Sequence, residues 1–113
     1  MRVKTGVTRR QHHKKILDLN KGFRMTKNRL FQVANEAALH AGQYAYDGRK
    51  NKKRDFRRLW IVRINGALSQ SEISYSRFIT MLKKAKVELD RKILAIIAAE
   101  DPQTFQKIVK EIK

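Results

Sequence analysis

Seven of the ten residues from Arg49 to Arg58 are basic: Arg49, Lys50, Lys52, Lys53, Arg54, Arg57 and Arg58. Guanidinium and ammonium groups at this density bind phosphate, through charge and through N–H donors. At 100° per residue the seven charges spread around nearly the whole circumference of a helix, and Phe56 is the one apolar side chain among them. A helix lying on a protein would keep one face apolar. A solvated linker helix or a disordered basic run could have this composition, but a rod with phosphates on several sides explains the all-round charge better.

Other residues that could do chemistry are poorly arranged for it. His12 and His13 point about 100° apart on a helix and do not converge on a metal, so they read better as extra donors toward a nucleic acid. The glycines at 6, 22, 42, 48 and 66 form neither a phosphate-cradling Walker loop nor a dinucleotide fingerprint. Serines cluster at 69, 71, 74 and 76 with no histidine downstream to activate them, and they suit helix caps or phosphate ligands. The acids are scattered among Lys and Arg, not paired in an apolar setting as acid–base catalysis needs. Without cysteine there is no disulfide, iron–sulfur or thiolate zinc site. The expectation is a non-enzyme with no cofactor, no metal and no small-molecule substrate.

The whole chain supports a polyanionic partner. Its 113 residues carry 27 Lys or Arg against 10 Asp or Glu, a net charge of +17. Residues 1–58 hold 17 basic and 4 acidic side chains, whereas 59–113 hold 10 and 6. Apolar residues run the other way, 20 of the first 58 and 27 of the last 55. Residues 59–113 therefore read as a small globular helical domain. Residues 1–58 read as a basic RNA-penetrating extension that orders on its partner. The longest apolar run, Ile93–Ala99, has seven residues where a membrane span needs about 20, so no membrane partner is expected.

The elements that must position these groups are all helical, with no alternating strand pattern. Met1 to Val7 reads as extended, and Thr8 as the cap of a helix from about Arg9 to Asn20. That helix carries Arg9, Arg10, Lys14 and Lys15 over Ile16, Leu17 and Leu19, and Gly22 stands where it would stop. Leu30, Ala34, Ala37, Ala41 and Tyr44 form a narrow stripe of mostly small residues. With Trp60, Ile61, Ile64, Ala67 and Leu68 in register beyond it, one long helix is expected from about Thr26 to Ser69; a kink would fall near Gly48. Ser74 should cap a helix with a core stripe of Tyr75, Phe78, Ile79 and Leu82, and with Lys83, Lys84 and Lys86 at its end. Asp90 opens another with Ile93, Leu94 and Ile97. Asp101-Pro102, a capping carboxylate before a proline, starts the last, which buries Phe105, Ile108, Val109 and Ile112.

No zinc finger or zipper heptad is present, and nine scattered aromatics do not build a stacking sheet. Charge that follows an extended chain for half its length suits a folded RNA better than duplex DNA. Three strings then carry a resemblance: Gly42-Gln43-Tyr44-Ala45-Tyr46, Lys53-Arg54-Asp55-Phe56-Arg57-Arg58-Leu59-Trp60-Ile61-Val62-Arg63-Ile64-Asn65, and Ile73-Ser74-Tyr75-Ser76-Arg77-Phe78-Ile79. Together with Arg2-Val3-Lys4, Gly6-Val7-Thr8 and His13-Lys14-Lys15-Ile16-Leu17, they resemble the bacterial large-subunit ribosomal protein L-twenty family over nearly the whole chain.

The resemblance implies an N-terminal extension within the large ribosomal RNA and a C-terminal domain seated on a junction of RNA helices. It further implies a role early in large-subunit assembly in the cytoplasm, with large-subunit ribosomal proteins as neighbours. An alternative role is repression of its own messenger RNA through the same surface. Matches that run from Arg2 onward weaken the reading of an organellar transit peptide leading into a domain, so no removable leader is expected. Carried over position by position, RNA contacts are expected at Arg2, Lys4, Lys14, Lys15, Lys53, Arg54, Arg57, Arg58, Arg63 and Arg77, with Asn65, Ser74 and Ser76 as polar contacts. Trp60 and Tyr75 are expected in the core, not stacked on bases.

Overall fold

A computed structural model describes Lys4 and residues 6–113 of the chain. It contains five α-helices and, among the described residues, no strand: α1 (Gly6–Leu19), α2 (Phe31–Leu68), α3 (Tyr75–Lys84), α4 (Arg91–Glu100) and α5 (Pro102–Glu111). Short 3-10 turns at Met25–Asn28 and Ser69–Ser71 precede and follow α2. The fold class is all-α. Contacts divide the chain into two compact units, Met1–Lys50 and Asn51–Lys113, and α2 has residues in both.

In the first unit, α1 begins three residues before the expected start. Gly6 takes a φ of +65°, so the chain turns into the helix there, and Thr8 lies inside the first turn instead of capping it. Gly6 and Val7 are therefore helical, not extended, while the remainder of the expected extended segment, at 1–3 and 5, lies outside the described residues. Ile16 and Leu17 are half-buried but Leu19 is exposed, leaving less apolar cover than its sequence suggested. Gly22, at φ +88°, turns the chain as expected of a residue after a helix.

Asn20 is fully buried, and its side-chain amide donates to the Ala34 carbonyl in the first turn of α2. The His13 ring stacks on Phe31 at a centroid distance of 3.8 Å and an angle of 13°, and His12 meets the edge of the same ring at 5.8 Å. Both histidines thus meet Phe31 through their rings, a contact their sequence reading did not include. The long helix also starts later than expected. Met25 is left-handed (φ 58°) and Arg29 leaves helical geometry (φ −133°, ψ −31°), which places Thr26 in a separate 3-10 turn. Of the small-residue stripe, Ala34 is buried and Ala37 half-buried, but Leu30, Ala41 and Tyr44 are exposed, since nothing packs on α2 after Ala38 within this unit. The helix runs unbroken through Gly42 and Gly48.

The second unit has a true core. Ile64 and Leu68 of α2, Phe78 and Leu82 of α3, Leu94 and Ala95 of α4, and Phe105 and Val109 of α5 are buried together. Trp60, Ala67, Tyr75, Ile79, Ile97 and Ile112 pack around them, as the expected stripes require, whereas Ile61 and Ile108 are only half-buried and stand outside this cluster. Ile93 is the exception on α4: it is exposed, and Ala95 takes the inward position. Phe78 and Phe105 meet at 5.7 Å between ring centroids with a 46° tilt. Away from the core centre, Ser71 Oγ donates to Gln106 Oε1 at 3.0 Å, and Gln106 Nε2 donates to the Ala67 carbonyl at 3.4 Å.

The helix ends differ in how they are made. Asp101 caps α5 by accepting from the Thr104 N–H at 3.1 Å and from the Thr104 hydroxyl, and Pro102 occupies the first turn. These bonds from Thr104 hold the Asp101 carboxyl below its usual range. Ser74 and Asp90 occupy the capping positions of α3 and α4, but neither side chain makes the capping bond. At the end of α3 the Val87 N–H bonds to the Leu82 carbonyl at 3.0 Å and the Lys86 N–H to the Lys83 carbonyl at 3.2 Å. With Lys86 at φ 55°, this is a Schellman motif whose left-handed position, usually glycine, holds a lysine.

Candidate nucleic-acid interface

The candidate surface is built on α1 and on the middle of α2. Arg9, Arg10, Lys14 and Lys15 are all exposed on α1, and Lys4 is exposed ahead of it. Arg2 lies outside the described residues. On α2 every residue from Leu39 to Leu59 is exposed, so Arg49, Lys50, Lys52, Lys53, Arg54, Arg57 and Arg58 all project from the helix into solvent. Helical spacing then distributes them around the axis, as the sequence pattern requires.

These charges are scarcely neutralised from within. Among the described residues one ion pair forms, Arg58 Nη1 to Asp55 Oδ1 at 3.9 Å, with both side chains largely exposed. A pair of this kind contributes from nothing to about 1 kcal/mol and leaves the guanidinium free to rotate toward another anion. Lys50 does a second job: its ammonium lies 5.2 Å from the centroid of the Tyr46 ring.

In the second unit Arg63, Asn65, Ser74, Ser76 and Arg77 are likewise exposed. The Ser74 and Ser76 hydroxyls stand 3.2 Å apart and hydrogen-bond to each other. Arg63 and Asn65 do not form one patch. They flank the buried Ile64, about 100° to either side of it, so they look away from α2 in divergent directions. An RNA that contacts both must straddle the helix.

Sequence reasoning passed over four more exposed basic residues, Lys21, Arg24, Lys27 and Arg29, in the connection between α1 and α2. They stand in a connection with no apolar face of its own to orient them, so charge alone was the signal. Tyr44 and Tyr46 were also passed over as surface groups, because helical spacing placed Tyr44 on an apolar stripe. Among the described residues no three His, Asp or Glu side chains are grouped to hold a metal, and no helix is long and apolar enough to cross a membrane.

Comparison with known proteins supplies the lineage. The family model described as "Ribosomal protein L20" matches residues 2–108. Proteins called "Large ribosomal subunit protein bL20" from Burkholderia cenocepacia (strain HI2424), Burkholderia mallei (strain SAVP1) and Burkholderia vietnamiensis (strain G4 / LMG 22486) are each 54% identical over 112 residues, covering 99% of this chain and 94% of the relative. A match of that length, on a chain with this all-helical architecture, means that the chain belongs to the ribosomal protein L20 family.

Proposed function

We propose that this protein is a structural constituent of the large ribosomal subunit in the cytoplasm, binding the large ribosomal RNA directly and supporting early subunit assembly. The observation that carries the reading is the bare stretch of α2, where seven basic side chains of 49–58 stand exposed around the helix with one weak internal ion pair. A helix of this kind is soluble in water but is neutralised in RNA, where phosphates lie on several sides. The names of the relatives, all large-subunit proteins, point the same way. In this reading residues 1–58 supply most of the electrostatic term. The folded core of 59–113 holds Arg63, Asn65, Ser74, Ser76 and Arg77 where they can fit the shape of an RNA junction. Neighbouring large-subunit proteins are its other partners, and a messenger RNA that presents the same fold would compete for the same surface.

Binding of the full chain to transcribed large ribosomal RNA, measured against salt, tests this. With six to ten phosphates neutralised, affinity should fall by about 10³ to 10⁵ between 50 and 200 mM salt, on the duplex DNA scale. Converting Arg49, Lys52, Lys53 and Arg57 to Gln should lower the log–log slope by about three to four, at 0.7–0.9 per phosphate. An unchanged slope would show that α2 is not the phosphate-binding element.

A further inference from the structure

Ahead of its basic run, between Leu39 and Gly48, the bare stretch of α2 carries two tyrosine side chains that electrostatics does not explain. Tyr44 is 74% exposed and Tyr46 is 52% exposed, in a stretch where no residue from Leu39 to Lys50 is covered by protein. Two residues apart on a helix, they project about 200° from each other, from nearly opposite sides. We infer that Tyr44 and Tyr46 are two separate stacking sites for unpaired nucleobases of the bound RNA, one on each side of α2. The inference rests on the RNA-binding reading and deepens it by naming what the uncharged part of this surface recognises.

Three observations carry it. The first is access. Tyr44 has Ala41 one turn before it and Gly48 one turn after, and Tyr46 has Gly42 one turn before. A methyl group added at Gly42 or Gly48 would meet nothing within 4 Å, so the helix surface one turn from each ring is open. The second is the company each ring keeps. His40 lies 6.4 Å from Tyr44 between centroids, only 29° from parallel, and the Lys50 ammonium lies 5.2 Å from the Tyr46 centroid. A base on Tyr44 is thus bordered by a second, nearly parallel ring, and a base on Tyr46 shares that ring with the Lys50 ammonium, which lies over it and is at hand for the base's own phosphate.

The third observation sets a base apart from a protein neighbour. Docking of a protein on a helix calls for a contiguous apolar patch of a few hundred Å². Here the rings lie on opposite sides, with Gln43 and Asp47 hydrogen-bonded to each other between them at 3.3 Å, and Arg49 and Lys50 one turn on. A single ring face is too small for a protein but is sufficient for one base, and stacking on it tolerates any base. Charge complementarity supplies the rest, since the same helix continues into the basic run.

The test uses the full chain and two probes of equal length and charge, a 20-mer of unpaired adenosines and the same backbone without bases. The unaltered protein should prefer the adenosine probe. Tyr44→Leu and Tyr46→Leu should each cut binding of that probe by about 5- to 150-fold, leave the abasic probe unaffected, and keep the salt slope. Tyr44→Phe and Tyr46→Phe keep the ring and should retain the preference. Leu is a good helix former at an exposed site, and circular dichroism checks that the variants stay helical. Equal binding of both probes by the unaltered protein, or a preference that survives the double Leu change, would overturn the stacking sites and leave the phosphate reading standing. Binding of neither probe at low salt would instead overturn the RNA-binding reading beneath them.

Discussion

Replacing Phe105 with Ala probes whether the second unit is held by one small core. Phe105 is fully buried and its ring tilts against Phe78 at 5.7 Å. The change removes a whole ring from a site that four helical segments enclose, and large-to-small changes of this type cost about 3–5 kcal/mol. A unit of Asn51–Lys113, at about 0.05–0.15 kcal/mol per residue, has a total stability of about 3–9 kcal/mol. One substitution therefore removes about a third of it at the least and all of it at the most. Trp60 is the only tryptophan and packs against the same core, so its fluorescence during urea unfolding of the full chain reports on this unit alone. With an m value of about 1 kcal/mol per molar urea for so small a unit, Phe105→Ala should lower the midpoint by about 3 M or leave no folded baseline. Phe105→Leu keeps most of the volume and should cost under about 1.5 kcal/mol. A midpoint shift below about 0.5 M for the Ala variant would refute the single-core argument. Trp60 itself is only half-buried, so its truncation should cost less than that of Phe105.

Two further outcomes follow from the helix ends. Lys86→Gly should stabilise the protein by about 0.5–1 kcal/mol, because glycine adopts the left-handed position after α3 without the crowding that a Cβ meets there; a lower melting temperature would contradict the Schellman geometry. The Asp101 carboxyl, held below its ordinary 3.8 by the bonds from Thr104, contributes stability that is present above the unfolded value and is lost as pH falls through the lower folded one. An NMR titration should show this carboxyl returning toward 3.8 in Thr104→Val, and no movement would mean the hydroxyl does not hold it.

The C-terminal fold was legible because its signals agree with one another. Apolar spacing, Asp101-Pro102 and the lack of breakers all point to the same helices, and the core forms from Ile64, Leu68, Phe78, Leu82, Leu94, Phe105 and Val109. Ile93 and Ala95 exchanged places because hydrophobicity ranks the larger side chain inward, while helix packing on α4 selects by position. The first unit was harder to read. Its decisive contacts are an amide from Asn20 to a backbone carbonyl and a histidine on a phenylalanine, and neither leaves a hydrophobic period. The left-handed turn at Met25 is invisible for the same reason, since a methionine does not advertise a positive φ.

The candidate site divides along a physical line. Charge is legible from composition because a surplus of seventeen positive charges has no internal partner in any fold this chain could adopt. Where each charge points is legible only when the helix register is known, and then only on the unbroken part of α2. The aromatics invert that order. Tyr44 belongs by spacing to the same stripe as Ala34 and Ala37, and that stripe is buried only where α1 and its connection reach it. Beyond Ala38 the identical pattern meets no protein, so an apolar position becomes a bare ring beside exposed cations. A helical period states which residues share a face. It does not state what covers that face, and on α2 from Leu39 to Leu59 the same period runs on with no protein of this chain over it.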